Sequence, residues 1–417
     1  MRRRSVLEGS AHPFVAAAAR PLFCHQIFRQ QSRRSAVTGI VCLTVACFLL
    51  LFFLIPGAFG QAPQAAQQPP TRESEYRKLD DLLSLLRARN TEQYAITSPK
   101  GIDESQFVKI GGIEQWVTIR GRNRDNPVLL FLHGGPGDVT NPWTFALFAP
   151  WERHFTVVQW DERGAGKTYG KNGPAIAPTI TVDRLVQDGI ELSEYLRKHL
   201  GTDKIILVGH SFGSVLGVRM AKARPELFYA YVGTGQVSDE SRNYAVAYEA
   251  LLKKARELND QQAVSELTKV GPPPYPSGEG FREQWKWANY FEGANQFLLW
   301  TLGLKLTAPG SSIKDLNDSE EGEALSGKRL VPELMSMKAK IKDVGLEFSI
   351  PMFVFQGEED FTTATSLAQQ YLESIKAPQK AFVLIKGGGH FAVFMHSDQF
   401  LQELVARVRP LAVRHGT

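Results

Sequence analysis

The chain has 417 residues, 43% of them apolar, which allows one large or two ordinary domains with a sizeable core. Its net charge of +5 comes from the first 35 residues, where Arg2, Arg3, Arg4, Arg20, Arg29, Arg33 and Arg34 face one acid, Glu8. The rest is near neutral, which argues against a nucleic-acid partner.

The basic segment 1–35 leads into "AVTGIVCLTVACFLLLFFLI" at 36–55, an uncharged apolar run. About 20 such residues suffice for one membrane span. With Arg33 and Arg34 before it, the run predicts a single-pass membrane anchor with the rest of the chain outside the cytoplasm. Ala58-Phe59-Gly60 is an acceptable small-x-small cleavage site, so a secreted or periplasmic product after signal cleavage is the alternative. Cys24, Cys42 and Cys47 all precede residue 48, which excludes disulfides and cysteine-ligated metal from the later chain. A disordered linker is expected over 56–72, where "QAPQAAQQPP" stands. Leu79, Leu82, Leu83 and Leu86 then predict an amphipathic helix and lead-in over 73–104. That helix either docks on the domain or binds a partner.

From 105 the chain alternates. "FVKI" and "IEQWVTIRG" read as opening strands. "VLLFLHGG", "TVVQWDERG", "KIILVGHS" and "AYVGTGQ" are short apolar runs that end in loops, with helical stretches such as "VDRLVQDGIELSEYLRKHL" between them. Fully apolar strands alternating with helices predict an α/β fold with a mostly parallel sheet covered on both faces. The core is expected over 105–236 and again over 347–417, where "MFVFQGEED" and "AFVLIKGGGH" resume the pattern. The stretch 237–346 is helical, aromatic and charged, and reads as a helical lid inserted before the acid-bearing strand.

Ligand sites in such sheets lie at the carboxyl ends of the strands. Three chemistry-bearing residues fall there: Ser211 after "KIILVGH", Asp360 after "MFVFQGEE" and His390 after "VLIKGGG". Glu358 and Glu359 are the neighbouring alternatives for the acid. A G-x-S-x-G match alone is weak, but the order serine, acid, histidine is the one this architecture requires. Ser211 needs a base to act as a nucleophile. His390 can supply it, with Asp360 fixing the imidazole tautomer. The backbone N–H of Phe212 is one expected oxyanion donor. The other comes from Gly134, Gly135 or Gly137 of "HGGPG", since Pro136 has no N–H. His133 and His210 read as loop-bracing residues, and Asp161 and Arg163 likewise. No metal-ligand spacing appears among the histidines, and no cofactor is implied. "GAGKT" lacks the first glycine of a phosphate loop, because Glu162 stands there.

"HGGPG", "DERGAGKT", "GHSFGS" and the residues after "FQGEE" and "KGGG" resemble the α/β-hydrolase fold, and within it the proline iminopeptidase group of serine peptidases. The resemblance covers roughly 105–236 and 347–405. It implies Ser211, Asp360 and His390 as the triad and Gly135 as the second oxyanion donor. It also implies removal of an N-terminal proline from peptides, with lid acids holding the free amine. "WKWANYFEG" is similar to the group's W-x-x-W-E pattern and points to Glu292. Two departures are visible: a second acid in an E-N-H-Y-F-like stretch is missing, and "DERGAGKT" stands for D-Q-R-G-x-G-x-S. Trp285, Trp287, Tyr290 and Phe291 form either an apolar substrate wall or the lid's own core.

The sequence thus predicts a serine hydrolase acting through an acyl-enzyme on a small peptide, as an aminopeptidase. An esterase or amidase of small acyl compounds is the alternative, and a non-catalytic ligand-binding hydrolase fold a remote one.

Overall fold

The computed structural model describes residues 72–413 except 276–277 and 336–340. Helix α1 (Arg72–Gln93) comes first, then strands β1 (Ile102–Ile110), β2 (Ile113–Gly121), β3 (Val128–Leu132) and β4 (Thr156–Trp160). Helices α2 (Gly166–Asn172) and α3 (Val182–Leu200) precede β5 (Ile205–His210), α4 (Phe212–Ala223) and β6 (Phe228–Thr234). Between β6 and β7 the described residues build α5 (Glu240–Glu257), α6 (Gln261–Val270), α7 (Gly278–Phe291), α8 (Ala294–Thr307) and α9 (Ile313–Met335). Strand β7 (Met352–Gly357), α10 (Thr365–Ser374) and β8 (Lys380–Ile385) follow, then short helices to residue 413.

The eight strands form one sheet in the order β1-β2-β4-β3-β5-β6-β7-β8. β1–β2 and β2–β4 pair antiparallel, and every other neighbour pairs parallel. The central strands are apolar throughout because both faces are covered. Successive side chains of β3 alternate between two cores. Val128, Leu130 and Leu132 join α3 and α4 residues on one face, while Leu129 and Phe131 meet Phe148, Trp151, Phe394 and Phe400 on the other. β5 does the same, with Ile205 and Leu207 on the first face and Ile206 and Val208 on the second. α3 is bounded locally: the Thr181 side chain accepts the N–H of Arg184, and Gly201 closes the helix at φ 65°.

The α1 stripe differs from the expected one. Leu83 is buried and Leu79 and Leu86 half-buried, but Leu82 is exposed. At about 100° per residue, Leu82 lies at the edge of the face that its neighbours share. α1 is tied to the end of α8 by Arg87 Nε, which donates to the Leu306 carbonyl at 3.0 Å, and by Asn90 Nδ2, which donates to that of Thr307 at 2.9 Å.

The span expected over 36–55 lies outside the described residues. Among the described residues no helix is long and apolar enough to cross a membrane. The longest, α9 and α1, carry charges along their length, and a charged residue at mid-bilayer costs about 2.5–3.5 kcal/mol on insertion scales. The expected single-pass membrane placement is corrected by this finding.

Two glycine substitutions test the packing. A Cβ on Gly213, at the start of α4, would stand 2.3 Å from the Leu132 carbonyl oxygen, whereas one on Gly303, exposed within α8, would meet nothing within 4 Å. Gly213→Ala should cost about 1–3 kcal/mol of stability by overpacking. Gly303→Ala should gain roughly 0.5–1 kcal/mol by relieving backbone entropy in a helix. Chemical denaturation of both variants checks the signs.

Candidate active site

Ser211 lies between the last residue of β5 and the first of α4, with φ 52° and ψ −118°. A non-glycine residue there is strained and persists only where its surroundings fix it. Its N–H donates to the Thr234 carbonyl at 3.0 Å, and its carbonyl accepts the Ser214 N–H at 2.9 Å and the Ser214 hydroxyl at 2.6 Å. Gly213 lets α4 press against the end of β3, and the turn leaves the Ser211 side chain at the carboxyl edge of the sheet.

Two other strand ends converge on it. The Ser211 hydroxyl lies 3.0 Å from His390 Nε2. His390 Nδ1 lies 3.2 and 3.1 Å from the two Asp360 carboxylate oxygens. Asp360 also accepts the N–H groups of Thr362 and Thr363, the Thr363 hydroxyl and the Gln356 side-chain amide. Such donors stabilise a buried carboxylate and fix its orientation. The two alternative acids point elsewhere: Glu359 pairs with Lys254 at 2.5 Å, and Glu358 accepts the Gly387 N–H.

Burial works against a charged His390, but the Asp360 carboxylate, the hydrogen bond to it and then Glu292 outweigh this and lift the ring above its usual value. His210 lies beside it, with Nε2 3.1 Å from the His390 carbonyl. Burial first, then the charge of His390, pushes His210 down to about 3, so it stays neutral. His133 is buried with Nδ1 2.9 Å from the Gly134 carbonyl. The loop that holds it passes over the serine: a Cβ on Gly134 would stand 3.2 Å from Ser211 Cβ. Gly135 follows at φ 110°, and Phe212 is buried as the first residue of α4.

Arg163 donates to both Asp188 carboxylate oxygens and to the Gly111 carbonyl, and Asp161 accepts from the Asn141 side chain and the Lys167 N–H. Both residues hold loops together. Glu162 is buried 3.9 Å from His133 Nε2, and neither of its oxygens has a hydrogen bond among the described residues. Burial first, then Asp188 and Asp161, raises it well above its ordinary value.

Glu292, the residue after α7, is buried. One carboxylate oxygen accepts the Phe361 N–H at 2.8 Å and the other the His390 N–H at 2.6 Å. Burial and then Asp360 push this carboxyl up to about 8. Trp287 is buried in a cluster with Tyr248, Leu251, Leu267 and Phe361, and its Nε1 is within 3.1 Å of Glu266 and Glu283. Trp285 and Tyr290 are exposed, and Phe291 packs partly buried on the same cluster.

Glu323 is a residue that the sequence reading missed. It lies on α9, its Cα 3.0 Å from where a Gly137 Cβ would stand, beside a recess of about 100 Å³ that Asp138, Lys305 and Glu320 also line. Burial and then Asp138 push it up to about 7. It stands in "SEEGEALSG", a charged stretch with no motif to mark it. A larger cavity of about 380 Å³ lies away from the triad residues, lined by Tyr94, Trp116, Arg120, Phe145 and Asp161 among others. No group of three or more His, Cys, Asp or Glu among the described residues is arranged to hold a metal ion.

The family model described as "alpha/beta hydrolase fold" matches residues 127–397. The chain belongs to this family. Among relatives of this hydrolase, a Bacillus subtilis (strain 168) protein named "Probable aminopeptidase YbaC" is 28% identical over 71% of the chain and 93% of its own length. The proline iminopeptidase of Saccharolobus solfataricus is 24% identical over 72% of the chain and 90% of its own length. The crystal structure of the proline iminopeptidase of Mycobacterium smegmatis superposes with a TM-score of 0.52 at 17% identity, covering 75% of the chain and 100% of that structure. At that identity it shows the α/β-hydrolase fold alone.

The electrostatics of this hydrolase can be read by titration. In NMR the His390 ring should titrate above about 6.5, the ordinary histidine value, and Asp360→Asn should lower that midpoint. The His210 ring should stay neutral down to about pH 3. A His390 midpoint at or below the ordinary value contradicts the geometry.

Proposed function

We propose that this α/β hydrolase is a serine hydrolase that works through an acyl-enzyme, and that it is an aminopeptidase acting on small peptides with a free N-terminus, such as those beginning with proline. The observation that carries the mechanism is the chain of hydrogen bonds from the Ser211 hydroxyl through His390 to Asp360. The two aminopeptidase relatives support the peptide class.

In this reading the Ser211 oxygen attacks the carbonyl carbon of the first residue as His390 Nε2 takes its proton. Asp360 holds the imidazolium. The N–H groups of Phe212 and Gly135 receive the oxyanion; such a donor is worth about 3–4 kcal/mol of barrier. His390 then protonates the leaving amine, the C–N bond breaks and the acyl ester remains on Ser211. Water, with His390 as base, cleaves that ester; the amino acid leaves and the Ser211 proton is restored.

The helices between β6 and β7 serve as the lid in this reading, and substrate lies between them and the strand ends. A free amine needs a carboxylate near the scissile bond. We assign that role to Glu323, which lines a recess with Gly137, because Glu292 is buried, holds two backbone N–H groups and is packed against Gly389.

Ser211→Ala and His390→Ala should each lower kcat by roughly 10⁴- to 10⁶-fold while the thermal midpoint stays near that of the parent. Retained turnover in Ser211→Ala sinks the mechanism. Specificity is tested by comparing a prolyl arylamide with its N-acetylated form and with a simple aryl ester. Strong preference for the free amine, lost through a raised KM in Glu323→Gln, supports the aminopeptidase. Equal or better cleavage of the blocked compound or the ester hands the function to an esterase or amidase.

A further inference from the structure

We infer that Glu292 is a positioning residue: its carboxyl clamps the backbones of the acid and base loops together and so ties the β6–β7 helices to the triad. The inference rests on the serine-hydrolase reading above.

Glu292 comes from neither triad loop. It directly follows α7, which packs with α5 and α6 around Trp287, Tyr248 and Leu251. Its two oxygens divide between two amides, that of Phe361, next to Asp360, and that of His390 itself. One rigid group of three atoms therefore spans the acid loop and the base loop. Backbone amides allow little rotation, so the span sets how far Asp360 stands from the imidazole it must orient. The Phe361 side chain packs into the same α5–α7 cluster, so the acid loop is held by both its backbone and its side chain.

The base loop is shaped to admit the carboxyl. A Cβ on Gly389 would stand 2.6 and 2.7 Å from the Glu292 Cγ and Cβ and 2.7 Å from Oε2. The φ of Gly389 is outside the range that only glycine favours, so the missing side chain, not backbone freedom, is what this position supplies. A residue that reads a substrate amine needs room for the amine beside its carboxyl. Glu292 has both oxygens engaged and its side chain closely packed against Gly389.

The test uses three chains: Glu292→Gln, Gly389→Ala and the double variant. In the glutamine variant one amide N–H faces an NH₂ donor instead of an oxygen. In the alanine variant the new methyl displaces the carboxyl but keeps it. Two readouts are compared: kcat and KM on a prolyl arylamide and on its N-acetylated form or an aryl ester, and the rate at which a fluorophosphonate labels Ser211. The clamp predicts that either single variant lowers kcat on all substrates and the labelling rate by a similar factor, roughly 10- to 100-fold, with KM little changed. The double variant should be no worse than the worse single one, because both break one interaction. If Glu292→Gln does not fold, Gly389→Ala carries the same test. A raised KM confined to the free-amine substrate, with labelling unchanged, overturns the clamp in favour of amine recognition. Unchanged kinetics throughout also overturns it. Failure of the parent chain to label at Ser211 would count against the serine-hydrolase reading instead.

Discussion

The backbone of Ser211 is the constraint on which the rest depends. A serine at φ 52° costs on the order of 1–3 kcal/mol and is held only by what surrounds it. The surroundings here are specific: β5 seated between β3 and β6, α4 pressed onto the end of β3 through Gly213, and the Thr234 carbonyl taking the serine N–H. The parallel sheet is therefore more than a scaffold. It brings the ends of β5, β7 and β8 to one edge, so residues 179 and 30 positions apart in sequence meet within hydrogen-bond distance.

Charge at this edge is arranged by burial. Asp360 is surrounded by donors, whereas Glu292 and Glu323 are pushed up to about 8 and about 7. Burial disfavours the charged form of a carboxyl and a like charge nearby disfavours it further, from Asp360 at Glu292 and from Asp138 at Glu323. His390, between Asp360 and neutral His210, faces one dominant charge. The histidine is thus biased toward holding a proton, as the proposed role of base and then acid requires.

Much of this was legible in the sequence, for identifiable reasons. Fully apolar runs separated by helical stretches gave the two-sided sheet, and the loops after them gave Ser211, Asp360 and His390. The sequence and the resemblance favour Asp360 over Glu358 and Glu359; in the structure Asp360 faces His390, while Glu359 faces Lys254 and Glu358 the Gly387 N–H. The partners of Glu292 were hidden. Its hydrogen bonds go to backbone amides, which leave no residue-type signature, and they cross 69 and 98 positions of chain. Trp287 shows the same limit: an aromatic in an insertion looks alike whether it lines a pocket or fills a core, and here it fills one. Glu323 sits among charged residues with nothing in spacing to mark it. The apolar run at 36–55 lies outside the described residues, and the described helices contain no counterpart to it.

The central claim is that Ser211 carries the acyl group between the two half-reactions. The most direct measurement is mass spectrometry of the intact protein, quenched in acid soon after mixing with an activated aryl ester, followed by peptide mapping. The mechanism predicts one acyl group per chain, on the peptide that contains Ser211, decaying with time and absent from Ser211→Ala. Turnover of the ester with no acylated protein at any time, or an adduct on another residue that persists in Ser211→Ala, would contradict it.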